Sequence, residues 1–300
     1  MGHRIAFQHP HDAGTVPAAS QLVDPLLLAF LNNKANLADL VPPGYCPPRR
    51  VADRQQISAL VPTTADPVVL KLATDLSTGA AGAVVIARSA TDIAGALRRF
   101  PEGNALIVED FIPHARSLCL NFAATGDEVV FLGGADQLVD LEGVHRGSLL
   151  GEPAPDRLEE AIEVGFEITR RAVRRGYRGV AGFDVAFGED LTRPMVFDLN
   201  FRFCASTLPL IWFASISEQQ NGCHAGRMSV VSGPADFAPL ATRLRDGVAS
   251  GAVFPYAAFD PAATEHRTAA PVARVLIVGE NRRQVEDRLA SLRGAGLTCS

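Results

Sequence analysis

The stretch FDVAFGEDLTRPMVFDLNFRF, from Phe183 to Phe203, carries four side chains able to do chemistry together: Asp184, Asp198, Asn200 and Arg202. Side chains of a strand alternate between faces, so Met195, Phe197, Leu199 and Phe201 are expected on an apolar face and Asp198, Asn200 and Arg202 on the other. Phe183, Val185 and Phe187 repeat the apolar pattern upstream, which leaves Asp184 on the polar side. A hairpin closed by Phe187 and Met195 sets Asp184 directly across from Asp198, with Cβ atoms roughly 5 Å apart. Two facing carboxylates repel, and burial keeps a proton on one of them unless a cation intervenes. With the amide oxygen of Asn200 they form an all-oxygen set suited to Mg²⁺ or Mn²⁺ that shares phosphate oxygens with a substrate. The planar fork of Arg202 suits a carboxylate or a phosphate. The alternative is that Arg202 itself neutralises both aspartates and no ion binds.

Upstream elements must position this hairpin. An apolar helix-like stretch runs from Leu22 to Leu40, and VPPGYCPPRR follows, where prolines remove donors and fix φ, so no regular structure is expected. The β-branched runs PVVLKLA and AGAVVIARS read as two strands of a hairpin around the small, polar loop TDLSTGA. A helix capped by Thr91 and a third strand, ALIVEDFI (105–112), complete a small α+β unit. SLCLNFAA and EVVFLGGA read as two more strands joined by TGDE, before an irregular stretch that includes His145 and Arg146. Asp156 opens a long helix in which Leu158, Ile162, Phe166 and Val173 recur near every fourth residue. A strand and a helix close the chain in ARVLIVGENRRQVEDRLASLRGAG.

Composition bounds the answer. With 47% hydrophobic and 20% charged residues, a chain of 300 residues can bury a sizeable core and is expected to form two or three substructures. A net charge of -5 offers no basic footprint for nucleic acid, and apolar runs such as DPLLLAFL are too short to span a bilayer, so neither partner is expected. Five scattered cysteines without a CxxC suggest neither a disulfide framework nor a zinc site. No secretory leader is read in MGHRIAFQHPHDAG, so a reducing cytoplasm is expected. HPH, at His9 to His11, reads as a polar turn.

YRGVAGFDVAF and MVFDLNFRF together resemble the signature of the ATP-grasp superfamily, an acid, a loop, then acid-x-Asn-x-Arg. The resemblance implies an α+β ATP-grasp fold, in which two α+β subdomains clamp ATP. It implies that Asp184, Asp198 and Asn200 hold Mg²⁺ against the ATP phosphates and that Arg202 steadies the carboxylate and the intermediate formed from it. NNKANLADLVP is similar to the segment carrying the first nucleotide lysine, here Lys34, and PVVLKLA to the strand carrying the second, Lys71. LIVEDFI resembles the adenine hinge, with Glu109 near the adenine amino group and Asp110, Phe111 and Ile112 offering main-chain contacts. Gly79 and Gly82, with Ser77 and Thr78, stand where the family has a phosphate flap. His145 and Arg146 are candidates for reaching phosphates or acceptor. Ser206 and Thr207, in FCAST, fall where family members contact the acceptor, or else form a plain helix cap. The pattern departs from the family at Arg116, where a ribose-binding Glu is common, at Phe201, where proline is usual, and at Asp198, where Glu is common.

By this resemblance the chain divides into a truncated N-terminal region and linker (1–66), a small lid subdomain (67–113) and a large subdomain with the metal site and a C-terminal α/β element (114–300). The N-terminal Rossmann-like domain of typical members is expected to be largely missing: either another chain supplies it, the sequence is a fragment, or a reduced site works without it. The implied activity is ATP-dependent activation of a small-molecule carboxylate as an acyl phosphate and its ligation to an amine, with Arg202 and Lys71 as catalytic residues. Transfer to a thiol such as that of a carrier protein, or a non-catalytic nucleotide-binding subunit, are the alternatives, and a homo-oligomer is compatible with either.

Overall fold

A computed structural model of the chain describes residues 4–7, 11, 14–75, 84–140, 144–188, 190–220, 222–233, 236–263 and 269–300. The flap residues Ser77, Thr78, Gly79 and Gly82, and His9, lie outside the described residues. The chain forms two units, the first taking in Met1–Gly133, Leu141–Val144 and Ala154–Cys204, the second Gly134–Asp140, His145–Pro153 and Ala205–Ser300.

In the first unit, Asp24 accepts hydrogen bonds from the backbone N–H groups of Leu26 and Leu27, and Pro25 takes the first helical position, so helix α1 (Pro25–Asn32) starts there. A 3₁₀ turn over Lys34–Asn36 links it to α2 (Leu37–Leu40). Four antiparallel strands follow, β1 (Arg49–Ala52), β2 (Val68–Leu72), β3 (Val84–Ala87) and β4 (Leu106–Asp110), in the order β1-β4-β2-β3. Helices α3 (Arg54–Ser58) and α4 (Ala90–Arg99) bring Ile57, Ile93 and Phe100 onto Leu70, Leu106 and Val108. Strand β1 emerges directly from the proline run and was not expected from so short a segment. The cap of α4 is Ser89, whose hydroxyl accepts from the Asp92 N–H, rather than Thr91. Thr91 lies one residue inside the helix, where its hydroxyl cannot serve the first turn.

The second sheet of this unit runs β6-β5-β8-β9, with β5 (Arg116–Thr125), β6 (Glu128–Val139), β8 (Gly179–Phe187) and β9 (Met195–Asn200). Helix α5 (Leu158–Arg174) lies on its apolar face, where Val164 and Ile168 join Leu120, Phe122, Phe183 and Phe201. Gly165 is what lets the helix settle: a Cβ there would come within 2.2 Å of the Phe122 ring. Phe122 also stacks on Phe183 with centroids 5.4 Å apart, and Phe183 meets Phe201 edge-on at 5.5 Å, so one aromatic row anchors β5, β8 and the end of β9.

Strand β6 continues into the second unit, where its last residues pair with β7 (His145–Leu150). The sheet there runs β11-β12-β10-β7-β6, with β10 (Ala225–Ser232), β11 (Val253–Phe259) and β12 (Val272–Gly279). Helices α7 (Phe237–Ala249) and α8 (Arg282–Gly294) cover it through Leu240, Leu244, Val285 and Leu289, and α6 (Thr207–Gln219) packs Leu210 on Leu276. The segment read as irregular around His145 is thus partly strand. Among the described residues no helix is long and apolar enough to cross a membrane.

Candidate active site

The two aspartates face each other as alternation demands. In the β8–β9 ladder Asp184 pairs with Asp198, Phe183 with Leu199 and Gly182 with Asn200, while nearer the turn Val185 pairs with Val196 and Ala186 with Met195. The register shifts by one between these sets, a bulge that the closure expected at Phe187 and Met195 does not contain. Its effect is to exchange two side chains. Val196, 1% exposed, enters the apolar core in place of Phe197, and the Phe197 ring turns out to stack near His114, centroids 5.9 Å apart, with Lys71 Nζ 5.7 Å from its centre.

Two lysines and an arginine meet this surface from elsewhere in the first unit. Lys34, on the 3₁₀ turn, donates to both carboxylate oxygens of Asp198 at 2.6 and 2.7 Å. Lys71, on β2, is buried and donates to Glu109 Oε1 at 2.7 Å and to the Phe197 carbonyl at 2.8 Å. Glu109 lies on β4 opposite Arg49 of β1, whose guanidinium stands 3.3 Å from Glu109 Oε2 and donates to the Lys34 carbonyl at 2.7 Å. The Arg49 Nη1 to Glu109 Oε2 contact is one of charge without hydrogen-bond alignment, so Glu109 Oε2 keeps acceptor capacity inside the protein.

Burial and the neighbouring Asp198 push the Asp184 carboxyl up to about 7, although the Cys119 thiol donates to it and Lys34 and Arg202 pull the other way. Burial raises Asp198 too, but the ammonium groups of Lys34 and Lys71 outweigh it and hold Asp198 below the ordinary carboxylate range. Near neutrality Asp184 is therefore only about half ionised, and the pair carries between one and two negative charges. Lys71 is drawn below its ordinary value by burial, against the pull of Glu109 and Asp198.

Arg202 does not bridge the aspartates. It donates from Nη2 to Asn200 Oδ1 and from Nη1 to Asn32 Oδ1, the latter at 2.8 Å. Asn32, the buried last residue of α1, also accepts from the Phe201 N–H at 3.0 Å and donates to the Leu28 carbonyl at 3.0 Å, so one amide fixes both the backbone before Arg202 and its guanidinium.

At the hinge, the Asp110 N–H donates to the Pro48 carbonyl at 3.0 Å, and the His114 ring nitrogen Nδ1 lies 2.8 Å from the Ile112 carbonyl oxygen. Two of the main-chain groups expected to face adenine are thus engaged within the chain, while Phe111 follows β4 partly buried. Arg116 begins β5 opposite Phe187. In the second unit, Ser206 and Thr207 are buried at the start of α6. His145 and Arg146 lie on β7 rather than a loop, His145 beside the Ser148 hydroxyl at 3.0 Å and Arg146 paired with Asp140 at 2.6 Å. Burial, and then Arg274, lower the His145 imidazole.

Residues 47–200, just over half of the chain, match the family described as L-aspartate–L-methionine ligase, ATP grasp. The chain belongs to the ATP-grasp ligases. Its fold is theirs: it superimposes on N5-carboxyaminoimidazole synthase from Aspergillus clavatus, solved with ADP and its ribonucleotide, with a TM-score of 0.61 over 94% of this chain and 77% of that one, at 14% identity. Biotin carboxylase from Campylobacter jejuni gives 0.62 over 96% and 72% at 11% identity, and phosphoribosylamine–glycine ligase from Thermotoga maritima 0.59 over 95% and 81% at 15%. A sequence relative, the [butirosin acyl-carrier protein]–L-glutamate ligase of Niallia circulans, is 33% identical over 113 residues, which span 35% of this ATP-grasp chain but 26% of that protein.

The side chains suit a hard divalent cation. Among the described residues no group of three or more His, Cys, Asp or Glu forms a metal cluster; Asp184, Asp198 and the Asn200 oxygen are the side chains that could hold a cation, with the rest of its shell left to water and substrate. Two facing acids of this kind need a compensating positive charge, which Lys34 gives to Asp198. Reading the sequence missed Arg49, Asn32 and the turned ring of Phe197. Arg49 directly follows the proline run and Asn32 sits in NNK, two residues before Lys34; neither spacing carries a signal of its own.

Proposed function

We propose that this ATP-grasp chain is an ATP-dependent ligase that activates a carboxylate as an acyl phosphate and joins it to an amine. The observation that carries the reading is the Asp184–Asp198 pair, on one face with Asn200 and ringed by Lys34, Lys71 and Arg202. A carboxylate oxygen attacks the γ-phosphorus, the bond to the β-bridging oxygen breaks and ADP leaves; the amine nitrogen then attacks the acyl carbon and phosphate departs. Mg²⁺ on Asp184, Asp198 and Asn200 supplies charge neutralisation to the phosphates when bound. Lys34 exchanges its hold on Asp198 for a phosphate oxygen, and Lys71, locked by Glu109, offers a fixed positive charge at the transferring group. Arg202, held in plane by Asn32 and Asn200, grips the carboxylate end of the substrate or the acyl phosphate. Glu109 Oε2, with acceptor capacity left, suits the adenine amino group. Gly79 and Gly82 serve the phosphate flap, residues 67–113 act as lid, and Ser206 and Thr207 serve the acceptor.

The family description makes L-aspartate with L-methionine the first substrate pair to try. A second reading, delivery of the acyl group to a carrier-protein thiol, draws on the relative whose name gives an acyl-carrier protein as substrate. Release of ADP, measured with Mg²⁺ across pools of amino acids with and without an acyl-carrier protein, separates them. ADP release that needs both a carboxylate and an amine supports ligation, dependence on the carrier supports the second reading, and no release under any pool contradicts both.

A further inference from the structure

Gly182 precedes Asp184 by two residues on β8 and so shares its face. A methyl group at Gly182 would meet Cys204 Sγ at 2.4 Å and Cys119 Sγ at 3.0 Å, so both sulfurs lie within 3.0 Å of one point in space that only glycine leaves open. Cys119 stands across from Asp184 in the β5–β8 ladder and donates its thiol hydrogen to that carboxyl. Cys204 follows Arg202 by two residues, its sulfur 3.7 Å from the Arg202 carbonyl. Neither cysteine is in a disulfide, Cys119 is 5% exposed, and Cys204 is partly open to solvent. The ligation chemistry uses neither.

We propose that Cys119 and Cys204 form a modification site for peroxide-class oxidants, closing to a disulfide that disables the carboxylate face. The more accessible Cys204 sulfur attacks one oxygen of hydrogen peroxide; the O–O bond breaks, water leaves and Cys204 becomes a sulfenic acid. The Cys119 sulfur then attacks the Cys204 sulfur, an S–S bond forms, the S–O bond breaks and a second water leaves. Both thiol hydrogens end in water, the peroxide is reduced and the two sulfurs are oxidised. Bringing the sulfurs to about 2 Å tethers the Arg202–Cys204 segment to β5. The same bond removes the thiol hydrogen that Asp184 accepts.

The test uses the whole native chain. Treated with hydrogen peroxide, quenched with iodoacetamide and digested, it is expected to yield a linked Cys119–Cys204 peptide that dithiothreitol abolishes, with two fewer alkylated cysteines. ADP release is expected to fall in proportion to that peptide and to return on reduction, and Cys204→Ser is expected to keep its activity through the same treatment. Full alkylation of both cysteines after peroxide, or crosslinks scattered over Cys223 and Cys299, would overturn the site; a complete crosslink with undiminished turnover would overturn its effect. The peptide map reads the pair whether or not the ligase reading holds.

Discussion

Lys71 and Lys34 are the same residue type placed in two different situations. Lys71 is 4% exposed, bonded to Glu109 and to the Phe197 carbonyl, and Glu109 is pinned from its other side by Arg49. Lys34 has 13% of its side chain exposed and rests on Asp198 through a single ion pair. Removing one member of a buried network strands the others, whereas the acid left behind by a partly open pair can regain water. The contrast teaches that the site combines one cation built into the fold with one that is exchangeable, and the exchangeable one sits where a metal and phosphate are expected to compete.

Substitution at the two lysines breaks the comparison most sharply. Lys71→Met is expected to cost about 3–5 kcal/mol of stability, by leaving Glu109 buried with only a poorly aligned arginine. Lys34→Met is expected to cost less, about 1–3 kcal/mol, because Lys71 and water still serve Asp198. Urea unfolding of the two variants checks this, and equal losses would erase the distinction. Asp198→Ala is expected to lower turnover by about 10²-fold or more with the fold retained, measured as ADP release beside circular dichroism.

Asp184 sharpens the picture through pH. Its folded value, about 7, is raised above the ordinary carboxylate value of about 4. The stability it contributes to the metal-free protein is therefore present below about pH 4 and lost as pH rises through about 7. Asp198, shifted the other way, contributes stability above about pH 4 that is lost only in more acid solution. Asp184→Asn is expected to flatten the stability decline between those two values while abolishing turnover. In the unaltered chain, apparent Mn²⁺ affinity is expected to fall about tenfold per pH unit below about 7, because the ion must displace that proton. A milder effect on turnover is expected at Asn32. Asn32→Ala should cost about 1–3 kcal/mol and raise KM for the carboxylate more than for ATP, with Asn32→Asp recovering part of it by restoring an acceptor for Arg202.

Much of this was legible in the sequence because it rests on local periodicity. Alternation in FDVAF and MVFDLN suffices to put Asp184 and Asp198 on one face, and the acid, loop, acid-x-Asn-x-Arg signature with Lys34, Lys71 and Glu109 in order upstream suffices to recognise the family; the expected closure of Phe187 on Met195 is replaced by Ala186 on Met195, and the bulge brings the two acids into register. The bulge defeated the same reasoning one residue away: nothing in MVFD says that Val196, not Phe197, goes inward, since both are apolar and register depends on the partner strand. Arg49 and Asn32 were invisible for a different reason. Their roles come from partners 60 and 170 residues distant, Glu109 and Arg202, and tertiary contact of that kind leaves no pattern in a single chain. Strands β1 and β7 were passed over because proline and glycine neighbours mask their short apolar runs.

The central claim, that Asp184, Asp198 and Asn200 seat a divalent cation beneath a nucleotide, is tested most directly by electron paramagnetic resonance of Mn²⁺ titrated with ATP into the native chain and into Asp198→Asn at about pH 8. The native chain is predicted to draw Mn²⁺ into a slowly tumbling protein complex that needs ATP, and the variant to leave it free as the nucleotide complex in solution. Equal capture of the ion by both proteins would contradict the account.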